Sequence, residues 1–433
     1  MVATRGRYVA SPAGWLRSPE MCEQVHEHNA PVRVEGTLPV FNGQQLGHVL
    51  PLLPLIALST LLVFWYLQDV VVAFRTPMLG PRSGLPVSGP LVTVIIPARN
   101  EAARIGACLA GLAQQSYRQF EVIVVDDDSS DGTAEVARGF AARLPSLTVC
   151  AAGTLPRDWA GKCWACWQGG THARGEWLLF LDADVVPRRH LIAALIAHTG
   201  ERVDLFTAVP LIHLTSLAER LVLPPFIGLI SGIYPFERVN DPRSPVAFAI
   251  GQCILVRRSV YAALGGHRAV RRSVLEDMDL ARIVKQSGYR LEAAAAPDLL
   301  EVRMYNGWAT LAEGLKKNAV AGYRSGGTRS GLMGLRLGLM AAVPWNMVIA
   351  SQVLLVTGGD AALAEALALG GILLVTIGAA CWGLAIRRRF RVSPLWGALY
   401  GFGTAIYFAL AAQALRQVRS GRGVQWKGRM FTR

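Results

Sequence analysis

Phe120-Glu121-Val122-Ile123-Val124-Val125-Asp126-Asp127-Asp128 carries an almost unbroken apolar run straight into three carboxylates. A short continuous apolar run is how a strand reads when both faces of its sheet are covered. Charge at its end belongs on the rim of the sheet, where open α/β folds bind their ligands. The pattern recurs downstream, with Trp177 to Leu181 ending in Asp182-Ala183-Asp184. A third acidic pair, Glu276-Asp277, opens a stretch from Met278 to Ile283 with helical apolar spacing. Upstream, Leu91 to Ile96 reads as a further buried strand, ended by Pro97. Helix-like stretches, Glu101 to Gln115 and Asp131 to Arg143, follow the first two strands. Strands alternating with helices predict right-handed crossovers and a parallel sheet, so the block from Pro90 to Ser330 reads as one α/β domain.

Each acidic group has a chemical and a plain reading. A strand-end carboxylate such as Asp126 accepts hydrogen bonds from a nucleobase imide or from ribose hydroxyls, whereas Asp131 reads as the cap of the next helix. On an extended segment, alternate side chains point the same way, so Asp182 and Asp184 would both reach one cation. Hard ions such as Mg²⁺ or Mn²⁺ take such oxygen ligands and bridge to substrate phosphates. Asp277 reads either as an acid serving the helix dipole or as a general base beside an acceptor hydroxyl.

The rest of the chain reads as membrane protein. Of its 433 residues 52% are hydrophobic and 17% charged, with a mean hydropathy of +0.33. Leu50 to Leu67 (extended by Val70 to Phe74), Leu337 to Gly359, Ala366 to Ile386 and Val392 to Leu415 carry no charge over lengths suited to crossing a bilayer. The polar residues ahead of the first run argue against a cleaved signal peptide, and residues 1–45 carry no readable chemistry. The net charge of +14 comes without a nucleic-acid motif. Much of it flanks the apolar runs, in Arg387, Arg388, Arg389 and Arg391 and again from Arg416 to Arg433. Basic residues favour the cytoplasmic side, yet a full crossing by the last run would put these clusters on opposite sides. Either one apolar segment is re-entrant or interfacial, or the charge rule fails once.

Seven scattered cysteines make no disulfide framework, and Cys163-Trp164-Ala165-Cys166 reads as part of a helix rather than a redox pair. Gly334 and Gly338 have the spacing of a membrane helix contact, with Arg336 between them. Uncharged Leu221 to Phe236, with Pro224 and Pro225, reads either as a buried helix pair or as an interfacial segment that brings an acceptor to the site.

Together these motifs resemble a known family. Val94-Ile95-Ile96-Pro97-Ala98-Arg99-Asn100-Glu101, Val124-Val125-Asp126-Asp127 with Ser129-Ser130-Asp131-Gly132-Thr133, Gly161-Lys162, Ala173-Arg174-Gly175-Glu176, Phe180 to Asp184, Gly265-Gly266 and Glu276-Asp277 are similar to family-2 glycosyltransferases of the GT-A fold. Leu155-Pro156, Trp159, Trp164-Ala165, Arg303-Met304-Tyr305, Lys317-Asn318-Ala319 and Trp426-Lys427-Gly428-Arg429 resemble, more narrowly, the hopene-associated glycosyltransferases of hopanoid gene clusters. The resemblance implies a GT-A domain with a mostly parallel sheet, inverting transfer from a nucleotide-diphospho-sugar such as a UDP-sugar, and a Mg²⁺ or Mn²⁺ cofactor. It implies donor contacts from Pro97, Ala98, Glu101, Asp126, Asp127, Lys162 and Asp182, metal ligation by Asp184 with Asp182, and catalysis by Asp277. The acceptor would be a lipid, in hopanoid or related polyisoprenoid metabolism, and no nucleic acid takes part.

Two departures stand out. Asp128 occupies a loop position that the family usually gives to glycine. The Gln-x-x-Arg-Trp motif of processive synthases is absent, since Gln413 to Arg416 is followed by Gln417. Lys316, Lys317 or Arg303 would then supply positive charge. The expected organisation is an N-terminal extension (1–45) without order, a transmembrane segment (46–74), a GT-A domain (90–330), a membrane region (332–415) and a basic tail (416–433). The expected setting is the inner membrane, multi-pass, with the catalytic domain on the cytoplasmic face. Rival readings are a polyprenyl-phosphate sugar transferase, a polysaccharide synthase, and a membrane transport or binding protein with a degenerate domain.

Overall fold

The computed structural model describes residues 52–144, 146–325, 327–420, 424–426 and 429–431. The expected extension (1–45) and much of the basic tail lie outside the described residues. The sheet and its site belong to the compact unit Ile56–Arg433.

Helix α1 (Leu53–Arg75) runs through Gln68 and Asp69 without a break, because Asp69 pairs with Arg336 rather than facing lipid. The chain leaving it is tied to the far edge of the sheet, where Leu79 N–H donates to Ala295 O at 2.8 Å.

Ten strands build the α/β domain: β1 (Val92–Ala98), β2 (Phe120–Asp126), β3 (Leu147–Ala151), β4 (Trp177–Leu181), β5 (Val185–Pro187), β6 (Leu205–Val209), β7 (Leu211–Ile212), β8 (Cys253–Arg257), β9 (Leu291–Ala295) and β10 (Leu300–Val302). Seven lie in the order β3-β2-β1-β4-β8-β6-β9, and β5, β10 and β7 form a small second sheet. The parallel sheet expected from the sequence is interrupted once, since β8 runs antiparallel to both β4 and β6. Residues Val92, Val94, Ile95 and Ile96 of β1 are fully buried, which is why its apolar run does not alternate. Pro97 does not end β1 but sits within it. Pairing with β4 reaches only Ile95, so by Pro97 one flank of the strand has no neighbour to miss an N–H.

Helix α2 (Ala102–Ala113) follows β1 and helix α3 (Thr133–Arg138) follows β2. The helix expected from Asp131 to Arg143 is therefore shorter, closing at Gly139 and continuing as turns. Helix α4 (Gly161–His172) contains both Cys163 and Cys166, buried and free, in line with their reading as helix residues.

Helix α5 (Leu217–Ile233) absorbs most of the uncharged Leu221–Phe236 stretch as one helix, not a pair. It starts at a capping box in which Glu219 N–H donates to Ser216 Oγ at 3.2 Å and Ser216 N–H donates to Glu219 Oε2 at 2.8 Å. Both ends return to the α/β domain. β7 precedes it, and just after it Asn240 exchanges hydrogen bonds with Ala293 of β9 at 3.0 and 2.7 Å. A helix so anchored at both ends lies along the domain rather than carrying the chain across a bilayer.

After α6 (Glu276–Gln286) and α7 (Trp308–Ser325) come α8 (Gly327–Val356), α9 (Ala361–Phe390) and α10 (Tyr400–Arg419). Among the described residues, five segments have the length and apolarity of membrane spans: α1, Leu217–Asn240, α8, α9 and Pro394–Arg419. The last folds back toward the α/β domain. Arg391, at the end of α9, pairs with Asp298 of the α/β domain at 2.6 Å. From there the chain turns back along α9, with Gly397 against the Ala379 carbonyl and the Gly383 backbone. At the start of α10, Tyr400 meets Tyr66 and the Met340 carbonyl, and the Phe402 ring lies tilted against Trp345 with centroids 6.0 Å apart. Further on, Phe408 packs at Gly334 and Gly338, and Ala414 with Val418 packs on Val320 of α7. The segment thus enters beside the domain and returns to it. Arg387–Arg391 and the end of α10 therefore both lie toward the α/β domain.

Candidate active site

Two loops at the carboxyl ends of β1 and β2 are stapled together. Asn100 N–H donates to Ser129 Oγ and Ser130 N–H to Asn100 Oδ1, both at 2.9 Å. Glu101 N–H donates to Thr133 Oγ1 at 2.8 Å, and Ala102 N–H to Asp131 Oδ2 at 3.0 Å. Asp131 also accepts the Thr133 N–H at 3.1 Å. It therefore serves the first turn of α2, far upstream, as well as that of α3, a wider capping role than its sequence position implied.

The same loops hold the expected donor-side residues. Asp126 accepts the Ser129 N–H at 3.4 Å through Oδ2, while its buried Oδ1 accepts no hydrogen bond. Asp127 is buried, with its N–H donating to the Ala98 carbonyl at 2.8 Å and its carboxylate 3.9 Å from Arg99. Glu101, also buried, reaches Arg104 at 3.4 Å, and Arg104 stands 3.8 Å from Asp184. Asn100 and Asp128 take φ of +53° and +59°, a left-handed conformation that favours glycine. That is the physical reason for glycine at the position Asp128 fills.

The second half of the site centres on Lys162, in the first turn of α4. Its Nζ lies 2.8 Å from Asp182 Oδ1 and 2.9 Å from Glu276 Oε1. Burial alone would lower the Lys162 pKa, but Asp182 and Glu276 hold it well above its ordinary value. Glu276 is likewise held low, its burial outweighed by the Lys162 charge. Neighbouring Asp277 accepts the Gly251 N–H through Oδ2 and the Met278 N–H through Oδ1, each at 2.8 Å. Burial first, and then the Glu276 charge, push Asp277 up to about 6. Lys317, on α7, feels Glu276, Asp277 and Asp182, and burial lowers its pKa. Pro97 and His267 complete the lining. Burial depresses His267 to about 4, so its ring is neutral near pH 7. Gly251 lies close to the cluster: a Cβ there would stand 2.6 Å from Lys162 Nζ, so the lysine head would have to shift.

Lys162, Asp182 and Asp277 are thus brought together. Asp182 and Asp184 are not aligned as expected: they occupy a turn between β4 and β5, with Val185 N–H donating to Asp182 O at 3.2 Å. One faces Lys162 and the other Arg104, because a turn does not alternate side chains as a strand does. Among the described residues no group of three or more acidic, histidine or cysteine side chains is arranged to hold a metal. Two carboxylates still suit Mg²⁺ or Mn²⁺, which take few protein oxygens and complete their shell with substrate phosphates. Sequence reasoning missed Glu276 as the Lys162 partner and Arg104 beside Asp184. A glutamate next to Asp277 and an arginine one helical turn after Glu101 were the only signals for either.

Comparison with known proteins finds similarity over this domain. Residues 93–265 match the family described as Glycosyl transferase family 2. A 4,4'-diaponeurosporenoate glycosyltransferase of Staphylococcus aureus (strain MRSA252) is 33% identical over 248 residues, 56% of this chain and 64% of the relative. The Staphylococcus haemolyticus enzyme of the same name is 29% identical over 238 residues, 54% of this chain and 62% of the relative. The chain thus spans less than two thirds of the length of these curated relatives. Among solved structures, a mannosyltransferase from Pyrobaculum calidifontis in complex with GDP-Man and Mn²⁺ shares 20% identity at a TM-score of 0.46, covering 83% of this chain and 98% of its own. The α/β domain that carries this site is thus similar, over residues 93–265, to the family described as Glycosyl transferase family 2.

Proposed function

We propose that the protein is a membrane-bound inverting glycosyltransferase that moves one sugar from a nucleotide-diphospho-sugar to a lipid acceptor. The observation that carries this reading is the buried Asp277, raised to about 6 and aimed by two backbone N–H groups beside the Lys162–Asp182–Glu276 cluster. A carboxylate with that pKa is ionised at neutral pH yet basic enough to take a proton.

The chain's own residues divide the work. Asp126 accepts an N–H from the nucleobase, and Pro97, Ala98, Asp127 and Glu101 shape the pocket around it. Asp182 serves the ribose. Lys162 and Lys317 place positive charge where the leaving diphosphate becomes more negative, which stabilises the transition state. Asp277 removes the acceptor proton as its oxygen attacks the anomeric carbon opposite the leaving group, so the configuration inverts. Asp184 with Asp182 would hold a divalent ion, which when bound supplies further neutralisation of the diphosphate.

The lipid acceptor is supported by the membrane helices and by α5, which links the domain to them. The curated relatives, named for 4,4'-diaponeurosporenoate, support a lipophilic acceptor of that general kind. A hopanoid falls within that class by the narrower motif resemblance. The setting we infer is the inner membrane, with the catalytic domain facing the cytoplasm and its pool of nucleotide sugars.

Purified protein in detergent is to be offered UDP- and GDP-sugars with hopanoid, carotenoid, diacylglycerol and polyprenyl-phosphate acceptors, with products read by mass spectrometry. One hexose or N-acetylhexosamine increment on a lipid is the expected result. A ladder of increments would indicate a polymerase. Product on polyprenyl phosphate alone would make the enzyme a polyprenyl-phosphate sugar transferase.

A further inference from the structure

Away from the catalytic residues, α1, α5, α8 and α9 enclose a cavity of about 410 Å³. Its walls combine apolar side chains such as Trp65, Met333 and Trp382 with three arginines, Arg329, Arg336 and Arg389. Only one carboxylate, Asp69, is among the lining residues. It pairs with Arg336, which also donates to the Trp65 carbonyl at 2.8 Å and keeps a buried Nε without a hydrogen bond. Arg329 donates to the Gly232 carbonyl at 3.3 Å. Arg389 forms no hydrogen bond among the described residues, and the carboxylate that acts on its charge is again Asp69. Three guanidiniums share one carboxylate, so the cavity walls carry an excess of two positive charges.

The position of those charges selects the occupant. Arg329 lies in the first turn of α8 and Arg389 in the last turn of α9, the ends of both helices that adjoin the α/β domain. That is the depth of lipid headgroups, where basic pockets between membrane helices bind anionic lipids. Leu332 and Leu335, on the cavity wall, are 61% and 60% exposed, so the opening faces the hydrocarbon side. A ligand arriving there has an apolar tail and an anionic head.

We propose that this cavity binds an anionic phospholipid, with its phosphate at Arg329 and Arg389 and an acyl chain along Trp65 and Leu332. The site is separate from sugar transfer and does not depend on the identity of the acceptor.

The test uses the full chain in a neutral detergent, titrated with phosphatidylglycerol, phosphatidylcholine or inorganic phosphate while thermal unfolding is followed. Phosphatidylglycerol should stabilise saturably, with at least about tenfold tighter apparent affinity than phosphatidylcholine. The R329Q/R389Q double variant should lose about tenfold of that affinity while keeping its lipid-free midpoint. Native mass spectrometry of the unaltered protein should show bound phosphatidylglycerol, a readout that stands even if the variant fails to fold. Equal stabilisation by the two lipids, equal protection by inorganic phosphate, or unchanged affinity in a folded double variant would overturn the proposal.

Discussion

Asp277 Oδ2 accepts the Gly251 N–H at 2.8 Å, so the loop entering β8 fixes the carboxylate at the start of α6. In the same loop residue 251 has no side chain, and a Cβ there would press on Lys162 Nζ at 2.6 Å. If Asp277 is the base, Asp277→Asn keeps this geometry and loses only basicity. Turnover should then fall by roughly 10²–10⁴-fold with donor affinity near normal. An equal loss of donor affinity would make Asp277 a structural residue.

The raised pKa adds a pH signature. A base must be deprotonated, so kcat should be flat above about 6 and decline below it as Asp277 protonates. A profile of kcat against pH with no acid limb near that value would remove Asp277 from the proton transfer.

Lys162 joins α4 to Asp182 and Glu276, and no other side chain makes ion pairs with both among the described residues. Lys162→Met should reduce transfer by roughly 10²-fold, the scale of losing one group that stabilises developing charge. It should also leave buried Glu276 without its counter-charge. Lys162→Arg should recover part of the rate if charge is what matters. Calorimetry of nucleotide-sugar binding beside the rate assay separates lost binding from lost chemistry.

Asp184 faces Arg104 rather than Lys162, so it does not share the ion pair that occupies Asp182. Asp184→Asn should abolish transfer and weaken donor binding only when Mn²⁺ or Mg²⁺ is present. Full activity of the unaltered enzyme in excess chelator would exclude a required metal.

The strands and the order of the acidic groups were legible because a uniform apolar run ending in charge fits a buried strand that emerges at a sheet rim and little else. Val92–Ala98, Phe120–Asp126 and Trp177–Leu181 follow those runs to within a residue or two. What stayed hidden depends on contacts distant in sequence. The antiparallel β8 reads like any other apolar strand, since direction leaves no composition signal. Asp182 and Asp184 looked co-aligned because a tight turn and a strand end are alike in sequence. The Lys162–Glu276 pair joins residues over a hundred positions apart. Asp128 was recognised as a departure, and its cause appeared only with its φ.

Replacing that residue is informative. Asp128→Gly relieves the left-handed strain and should leave thermal stability equal or better, whereas Asp128→Val should cost about 1–2 kcal/mol. The thermal midpoint of each variant checks this. A folded Asp128→Gly protein without transfer activity would show instead that the carboxylate serves the donor.

The re-entrant Pro394–Arg419 segment makes a prediction that a simple hydropathy count reverses. Counted as a crossing, it would put Ser393 and Ser420 on opposite faces of the membrane. The contacts from Gly397 to Ala379, from Phe408 to Gly338 and from Ala414 to Val320 bring the chain back to the domain instead. Arg391 against Asp298 marks that side. Cysteines placed singly at 393 and 420 should therefore react with an impermeant reagent from the same side as one placed on the α/β domain. A cysteine at Thr357, beyond the far end of α8, should react from the other. The native cysteines among the described residues are free, five buried and Cys150 partly so, and a cysteine-free background removes their signal. Labelling of 393 and 420 from opposite sides would mean that the last helix crosses after all, and that the basic tail parts from the catalytic face.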